Sequence, residues 1–74
     1  MINGIQCSMA RAALGWHRTD LAKAAGLSAP SIYRFEVGVG IRTDSAQKLE
    51  RVFTDRGLEF SSSPGRVSVA VRTA

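Results

Sequence analysis

The sequence of 74 residues has little of the residue types that small proteins use for cross-links and metal sites. It contains one cysteine, Cys7, and one histidine, His17. A single cysteine excludes an intrachain disulfide, and one cysteine with one histidine falls short of a zinc cluster. A lone cysteine also fits the reducing cytoplasm, which is where we expect the protein. We therefore predict no metal and no cofactor.

Long apolar runs are missing as well. No stretch reaches the length of about 18 apolar residues that a membrane-spanning helix needs, so we expect no membrane association. The first residues lack the basic and apolar regions of a signal peptide. No nucleophile stands beside a plausible base, and Gly38 to Gly40 is too short for a nucleotide-binding loop. We predict no enzymatic activity, and no site for a small-molecule effector is evident.

Positive charge and apolar residues are both present in quantity. Ten Lys and Arg residues against six Asp and Glu residues give a formal net charge of +4. This charge suits an anionic partner such as nucleic acid, although many small proteins are basic only for solubility. A hydrophobic fraction of 45% indicates a packed fold rather than a disordered chain. A chain of this length forms one small domain at most.

Apolar residues recur at helical spacing through the first three-quarters of the chain. The predicted helices cover residues 5–14, 18–25, 29–36 and 44–56. Gly15 ends the first helix, and Thr19 is an alternative N-cap for the second, which would then start slightly late. Ser28 is the expected N-cap of the third helix and Thr43 that of the fourth, which should stop at Gly57.

The C-terminal part changes to a period of two. Leu58 to Phe60 and Val67 to Val71 alternate apolar with small or polar residues, and residues 61–65 carry a turn signal. The pattern predicts a short β-hairpin with a five-residue turn. An isolated hairpin is marginal in water, so it must pack on its own helices or pair with a second copy. We divide the chain into a helical domain, residues 1–60, and a strand-like tail, residues 61–74, which is a possible dimer element.

The stretch from Arg18 to Glu36 contains two short helices joined at Gly26, where a helix-turn-helix has its bend. With its flanks it resembles the lambda-repressor-like family, also called the Cro/repressor or xenobiotic-response-element type. The resemblance rests on Ala10-Arg11, Leu14, Leu21-Ala22, Ala25-Gly26-Leu27-Ser28, Ile32, Phe35-Glu36, Lys48-Leu49 and Gly57-Leu58-Glu59-Phe60. It implies an all-α, compact domain of four to five helices, here with a short C-terminal β-hairpin or strand tail, that binds double-stranded DNA.

A helix-turn-helix protein inserts its second helix, here residues 29–36, into the major groove. We predict base contacts from Ser28, Ala29, Ser31, Tyr33 and Arg34. We predict phosphate contacts from Arg18, Thr19, Lys23 and Arg42. The competing interpretation is that the charged members of these sets are ordinary solvated surface residues.

The resemblance also implies a structural ion pair. In the family, the arginine and glutamate that match Arg11 and Glu36 commonly pair across the first and third helices. We assign these two residues to the fold rather than to DNA contact.

The leading hypothesis is a sequence-specific transcriptional regulator, a repressor of bacterial or phage type, that acts as a homodimer. The alternative is an antitoxin or protein-binding adaptor with the same fold, whose C-terminal strand adds to a partner's sheet.

Overall fold

The computed structural model describes residues 1–73. Within these residues, four helices precede a two-stranded antiparallel hairpin. The elements are α1 (Gly4–Leu14), α2 (Arg18–Ala25), α3 (Ala29–Glu36), α4 (Thr43–Thr54), β1 (Leu58–Ser63) and β2 (Arg66–Val71). The predicted fold class is confirmed. None of the helices in residues 1–73 has the length and apolar character needed to cross a membrane.

The helix ends are fixed by local hydrogen bonds. Asn3 and Gln6 form a reciprocal capping box, in which each side-chain oxygen accepts the other residue's backbone N–H, at 2.9 and 3.0 Å. This box starts α1 at Gly4, one residue before the predicted start. Gly15 has a φ of 67° and closes α1 in the left-handed conformation that glycine permits, as predicted. The Oγ of Ser28 accepts the N–H of Ser31, so the predicted cap of α3 is also confirmed.

Both predicted ends of the fourth helix are wrong. Thr43 is the first residue of α4, and Arg42 is the N-cap. The first turn gains its side-chain acceptor from Asp44, whose carboxylate takes the N–H of Ser45 at 2.9 Å, so a threonine cap is not needed. At the other end the helix stops at Thr54. The next turn is tightened by bonds to the third preceding residue, such as Gly57 N–H to the Thr54 carbonyl.

The alternative N-cap of the second helix, Thr19, is wrong too. The helix begins at Arg18, and His17 is the N-cap. The carboxylate of Asp20 accepts the backbone N–H of His17 at 2.8 Å, which secures the first turn without a serine or threonine cap.

One core holds the helices and the hairpin together. The largest fully buried side chains are Phe53, Leu21, Ile32, Leu49 and Leu58. They come from α2, α3, α4 and β1, because each of these elements contributes one apolar face.

The junction of α1 and α2 is closed by Trp16. Its indole is partly buried against the core. The guanidinium of Arg56 lies 4.8 Å from the indole centroid and covers the exposed side of the ring.

The turn of the hairpin is shorter than predicted. The strands continue to Ser63 and Arg66, which face each other, and only Pro64 and Gly65 connect them. Gly65 has a φ of 75°, a conformation that other residues resist. The serines assigned to a turn lie in strand β1 because each has a partner across the ladder.

The hairpin packs on the helices of its own chain. The rings of Phe60 and Phe53 meet edge to face, with centroids 6.0 Å apart. The buried side chain of Gln6 in α1 reaches across and donates from Nε2 to the carbonyls of Ser61 and Ser68, at 3.0 and 3.2 Å. The hairpin was expected either to pack on its own helices or to pair with a second copy, and this structure shows it packed on its own helices.

We expect Gln6→Glu to destabilise the protein by about 1–3 kcal/mol. Glutamate keeps the acceptor for Asn3, but it removes both donors to the hairpin and places a carboxylate beside two carbonyl oxygens. Urea unfolding at neutral pH measures the effect. Gln47→Glu, at an exposed position of α4, is the matched control and should change little. Equal effects of the two substitutions would contradict the anchoring role of Gln6.

Candidate nucleic-acid interface

Helices α2 and α3 form the bend that the sequence predicts. Gly26 ends α2 with a φ of 69°, and the N–H of Leu27 bonds to the carbonyl of Ala22 at 3.0 Å. Leu21 of α2 and Ile32 of α3 are fully buried. The buried faces fix the angle between the two helices, and the opposite side of α3 is left to solvent.

The predicted base-contact residues lie together at the cap and outer face of α3. The Oγ atoms of Ser28 and Ser31 are 2.8 Å apart, and Nη2 of Arg34 donates to Ser31 Oγ at 3.2 Å. This bond draws the guanidinium back toward the N-terminal end of the helix. Ala29 is half-buried against the core, whereas Tyr33 is exposed. The structure therefore offers two hydroxyls and one guanidinium as a connected polar group.

Three of the predicted phosphate-contact residues are exposed, two of them in the helix-turn-helix and one after it in sequence. Thr19 and Lys23 lie on α2 with exposed side chains. Arg42 precedes α4, and its Nε is 3.2 Å from a carboxylate oxygen of Asp44. An exposed ion pair of this kind contributes little to stability. The guanidinium of Arg42 can therefore leave Asp44 at small cost.

Arg18, the fourth predicted phosphate contact, has protein partners that the sequence analysis missed. Its Nε donates to Oε1 of Glu36 at 2.9 Å. Its guanidinium carbon lies 5.1 Å from the centroid of the Tyr33 ring. Tyr33 and Glu36 are three positions apart in α3 and therefore share a face. That spacing is the one signal in the sequence from which the contact was predictable.

Glu36 accepts hydrogen bonds from two arginines and a thiol. Arg11 donates from Nε to Oε2 at 2.7 Å and from Nη2 to Oε1 at 2.8 Å, which is bidentate geometry. The Sγ of Cys7 lies 3.3 Å from Oε2. Arg11 also donates from Nη1 to the carbonyl of Trp16 at 3.0 Å. The cluster thus joins α1, the α1–α2 loop, α2 and α3.

The partners of this cluster shift its protonation equilibria. Burial alone raises the pKa of Glu36, but the bonds from Arg11 and Cys7 and the arginine charge outweigh it and hold that pKa below the usual range. Burial, together with the bond to Glu36, raises the pKa of the Cys7 thiol. The fully buried thiol stays protonated and acts as a small core residue rather than as a nucleophile.

The comparison with protein families agrees with this geometry. The profile of the HTH_3 (helix-turn-helix) family matches residues 8–54, which run from α1 to the last residue of α4. The match covers more than half of the chain, so the protein belongs to this family of Cro/repressor-type helix-turn-helix domains. The predicted family is confirmed, and it is a family of DNA-binding domains that are typically non-enzymatic. A search of curated proteins found no match.

Proposed function

We propose that this protein is a sequence-specific transcriptional repressor that binds a two-fold-symmetric DNA site as a homodimer. One observation carries the proposal. The outer face of α3 presents a connected polar group, made of Ser28, Ser31 and Arg34, on a helix whose other face is locked into the core.

The dimensions of α3 fit the major groove. An α-helix with its side chains is about 10–12 Å across, and the groove is about 12 Å wide. Arg34 can donate two hydrogen bonds to a guanine edge, which is the most selective contact available here. Ser28 and Ser31 bond several base edges and discriminate less. Ala29 contributes apolar contact with a thymine methyl group.

Phosphate contacts on both sides of α3 fix its register in the groove. Thr19 and Lys23 on α2 supply one side, and Arg42 before α4 supplies the other. Arg18, at the start of α2, has the additional advantage of the helix N-terminus, where backbone N–H groups favour an anion.

The short recognition helix is the argument for a dimer. Eight residues reach only a few base pairs, whereas two copies related by a two-fold axis read two half-sites about 34–36 Å apart. Repression then needs only occupancy of a site that overlaps a promoter.

Selection of bound duplexes from a random pool tests the proposal. We expect an enriched palindromic sequence, and an observed binding constant that falls steeply with salt concentration. Arg34→Ala should relax one position of the selected site, at a cost of about 1–3 kcal/mol on the wild-type site. Lys23→Ala should instead weaken binding to all sequences and flatten the salt dependence.

Each part of the proposal can fail separately. Arg66→Ala, on the hairpin, is the matched control for loss of one positive charge and should change affinity little. Absence of duplex binding at low salt would contradict DNA binding itself. Binding without an enriched sequence would contradict specificity, and an enriched site without symmetry would contradict the dimer.

A second function is favoured by the hairpin. Val71 is exposed at the end of β2, and a two-stranded sheet leaves outer edges that can accept a further strand. An adaptor or antitoxin would use this edge to recruit a partner. Failure of the full chain to bind duplex at low salt is the result that would favour the adaptor.

A further inference from the structure

We propose that Glu36, Arg18 and Tyr33 form a positioning unit for DNA contact. In this unit the buried carboxylate fixes one guanidinium, which supports the recognition helix and clamps a DNA phosphate at the same time. The inference rests on the proposed DNA-binding function. It changes the role of Tyr33, which the sequence analysis assigned to base contact.

Charge balance within the cluster is the first argument. Glu36 carries one negative charge and pairs with two guanidinium groups, so the three side chains have a net charge of +1. The side chain of Arg11 is only 16% exposed, that of Glu36 2%, and that of Arg18 39%. The uncompensated positive charge is therefore presented to solvent at Arg18.

The geometry of the Arg18 guanidinium is the second argument. Its Nε is occupied by Glu36. Within residues 1–73, no hydrogen bond engages its two terminal amino groups. A guanidinium that is held at Nε keeps these two groups as a planar fork, the arrangement that binds phosphate in a bidentate manner. The carboxylate therefore fixes the direction of the fork before DNA arrives.

The ring of Tyr33 is the second group, after Glu36, that holds the guanidinium of Arg18. Its centroid lies 5.1 Å from the guanidinium carbon, within the range of a cation–π interaction. Tyr33 as a whole is 52% exposed, so its ring lies at the protein surface beside the guanidinium. Arg18 begins α2 and Tyr33 lies in the middle of α3. Contact between them fixes the phosphate-binding end of one helix relative to the base-reading face of the other.

The role of Arg18 is tested on the full chain by titrating a short mixed-sequence duplex at several salt concentrations. We expect Arg18→Gln to weaken binding and to reduce the slope of log Kobs against log salt by about 0.9, the value for one lost phosphate contact. Arg18→Lys should keep the slope but still lose affinity by about two- to five-fold, because lysine has no planar fork. An Arg18→Gln variant with the wild-type slope would overturn the inference, as would an Arg18→Lys variant with wild-type affinity.

The role of Tyr33 is tested by a double-mutant cycle. Tyr33→Phe keeps the ring and should bind like the wild type, whereas Tyr33→Leu should lose about two- to five-fold in affinity. In the Arg18→Gln background, Tyr33→Leu should have no further effect, because Tyr33 acts through Arg18. Independent, multiplying effects would overturn the positioning role. So would a Tyr33→Phe variant as weak as Tyr33→Leu, since it would indicate a direct contact from the hydroxyl.

Two measurements separate this inference from the proposed function. Failure of the wild type to bind any duplex at low salt overturns both. Wild-type binding combined with an unchanged slope for Arg18→Gln overturns this inference alone. The substituted positions are half-exposed or exposed, and circular dichroism melting checks that each variant is folded. Arg66→Gln, on the hairpin, is the control for charge removal.

Discussion

Replacing Gly4 by alanine is expected to destabilise the protein by about 1–3 kcal/mol or more. This is the opposite of the usual result, since alanine in place of glycine in a helix is normally stabilising by roughly 0.5–1 kcal/mol. The reason is the close approach of α1 to the end of α3. A Cβ on Gly4 would lie 2.1 Å from the carbonyl oxygen of Phe35 and 2.9 Å from the Cα of Glu36. Both atoms belong to the backbone, so no side-chain rotation relieves the clash.

Urea unfolding measures the effect of Gly4→Ala, and the m-value is expected to stay unchanged. The neighbouring Ile5 is exposed, so Ile5→Ala is a control in the same turn and should change stability by no more than about 0.5 kcal/mol. A Gly4→Ala variant as stable as the wild type would show that α1 can move away from α3. That result would contradict the tight packing described above.

Local patterns were sufficient to predict the helix-turn-helix. The helical spacing of apolar residues predicted the helices, and Leu21, Ile32 and Phe35 from these helices are all in the core. Gly26 and Ser28 marked the bend because left-handed geometry and side-chain capping have few substitutes. The errors arose where one residue type has several roles. A threonine or serine suits a helix cap, a turn and a strand, so Thr43 and the serines of β1 were assigned wrongly.

Contacts between distant residues were the part that local patterns did not supply. Gln6 bonds to carbonyls 55 and 62 residues away, and its partners depend on how the hairpin packs on α1. The contact of Arg18 with Glu36 depends in the same way on the packing of α2 against α3. Periodicity tells which face of a helix is buried, but not which polar group will lie opposite. The candidate site was therefore predicted as a set of residues, and the structure added the bonds among them.

Glu36→Gln, which removes the charge of this side chain, is the second substitution with a large expected effect. We expect Glu36→Gln to destabilise the protein by about 3–5 kcal/mol at neutral pH, because the partly buried guanidinium of Arg11 loses its counter-charge. The loss of stability should be smaller when both Arg11 and Glu36 are replaced. Arg11→Met combined with Glu36→Gln should therefore cost less than the sum of the two single substitutions. Simple additivity in urea unfolding would contradict a buried ion pair.

The pH dependence of stability identifies the charge of Glu36 as the cause. Its pKa is lower in the folded protein than the value of about 4.3 expected for an unfolded chain. The stabilisation by this carboxylate is therefore fully present above that value, and it is lost as the pH falls through the lower, folded-state pKa. The other carboxylates are common to wild type and Glu36→Gln, so their titration largely cancels in the difference. The difference in unfolding free energy should be constant near neutral pH and should shrink in acid. A difference that stays the same below about pH 4 would show that lost packing, and not lost charge, destabilises the variant.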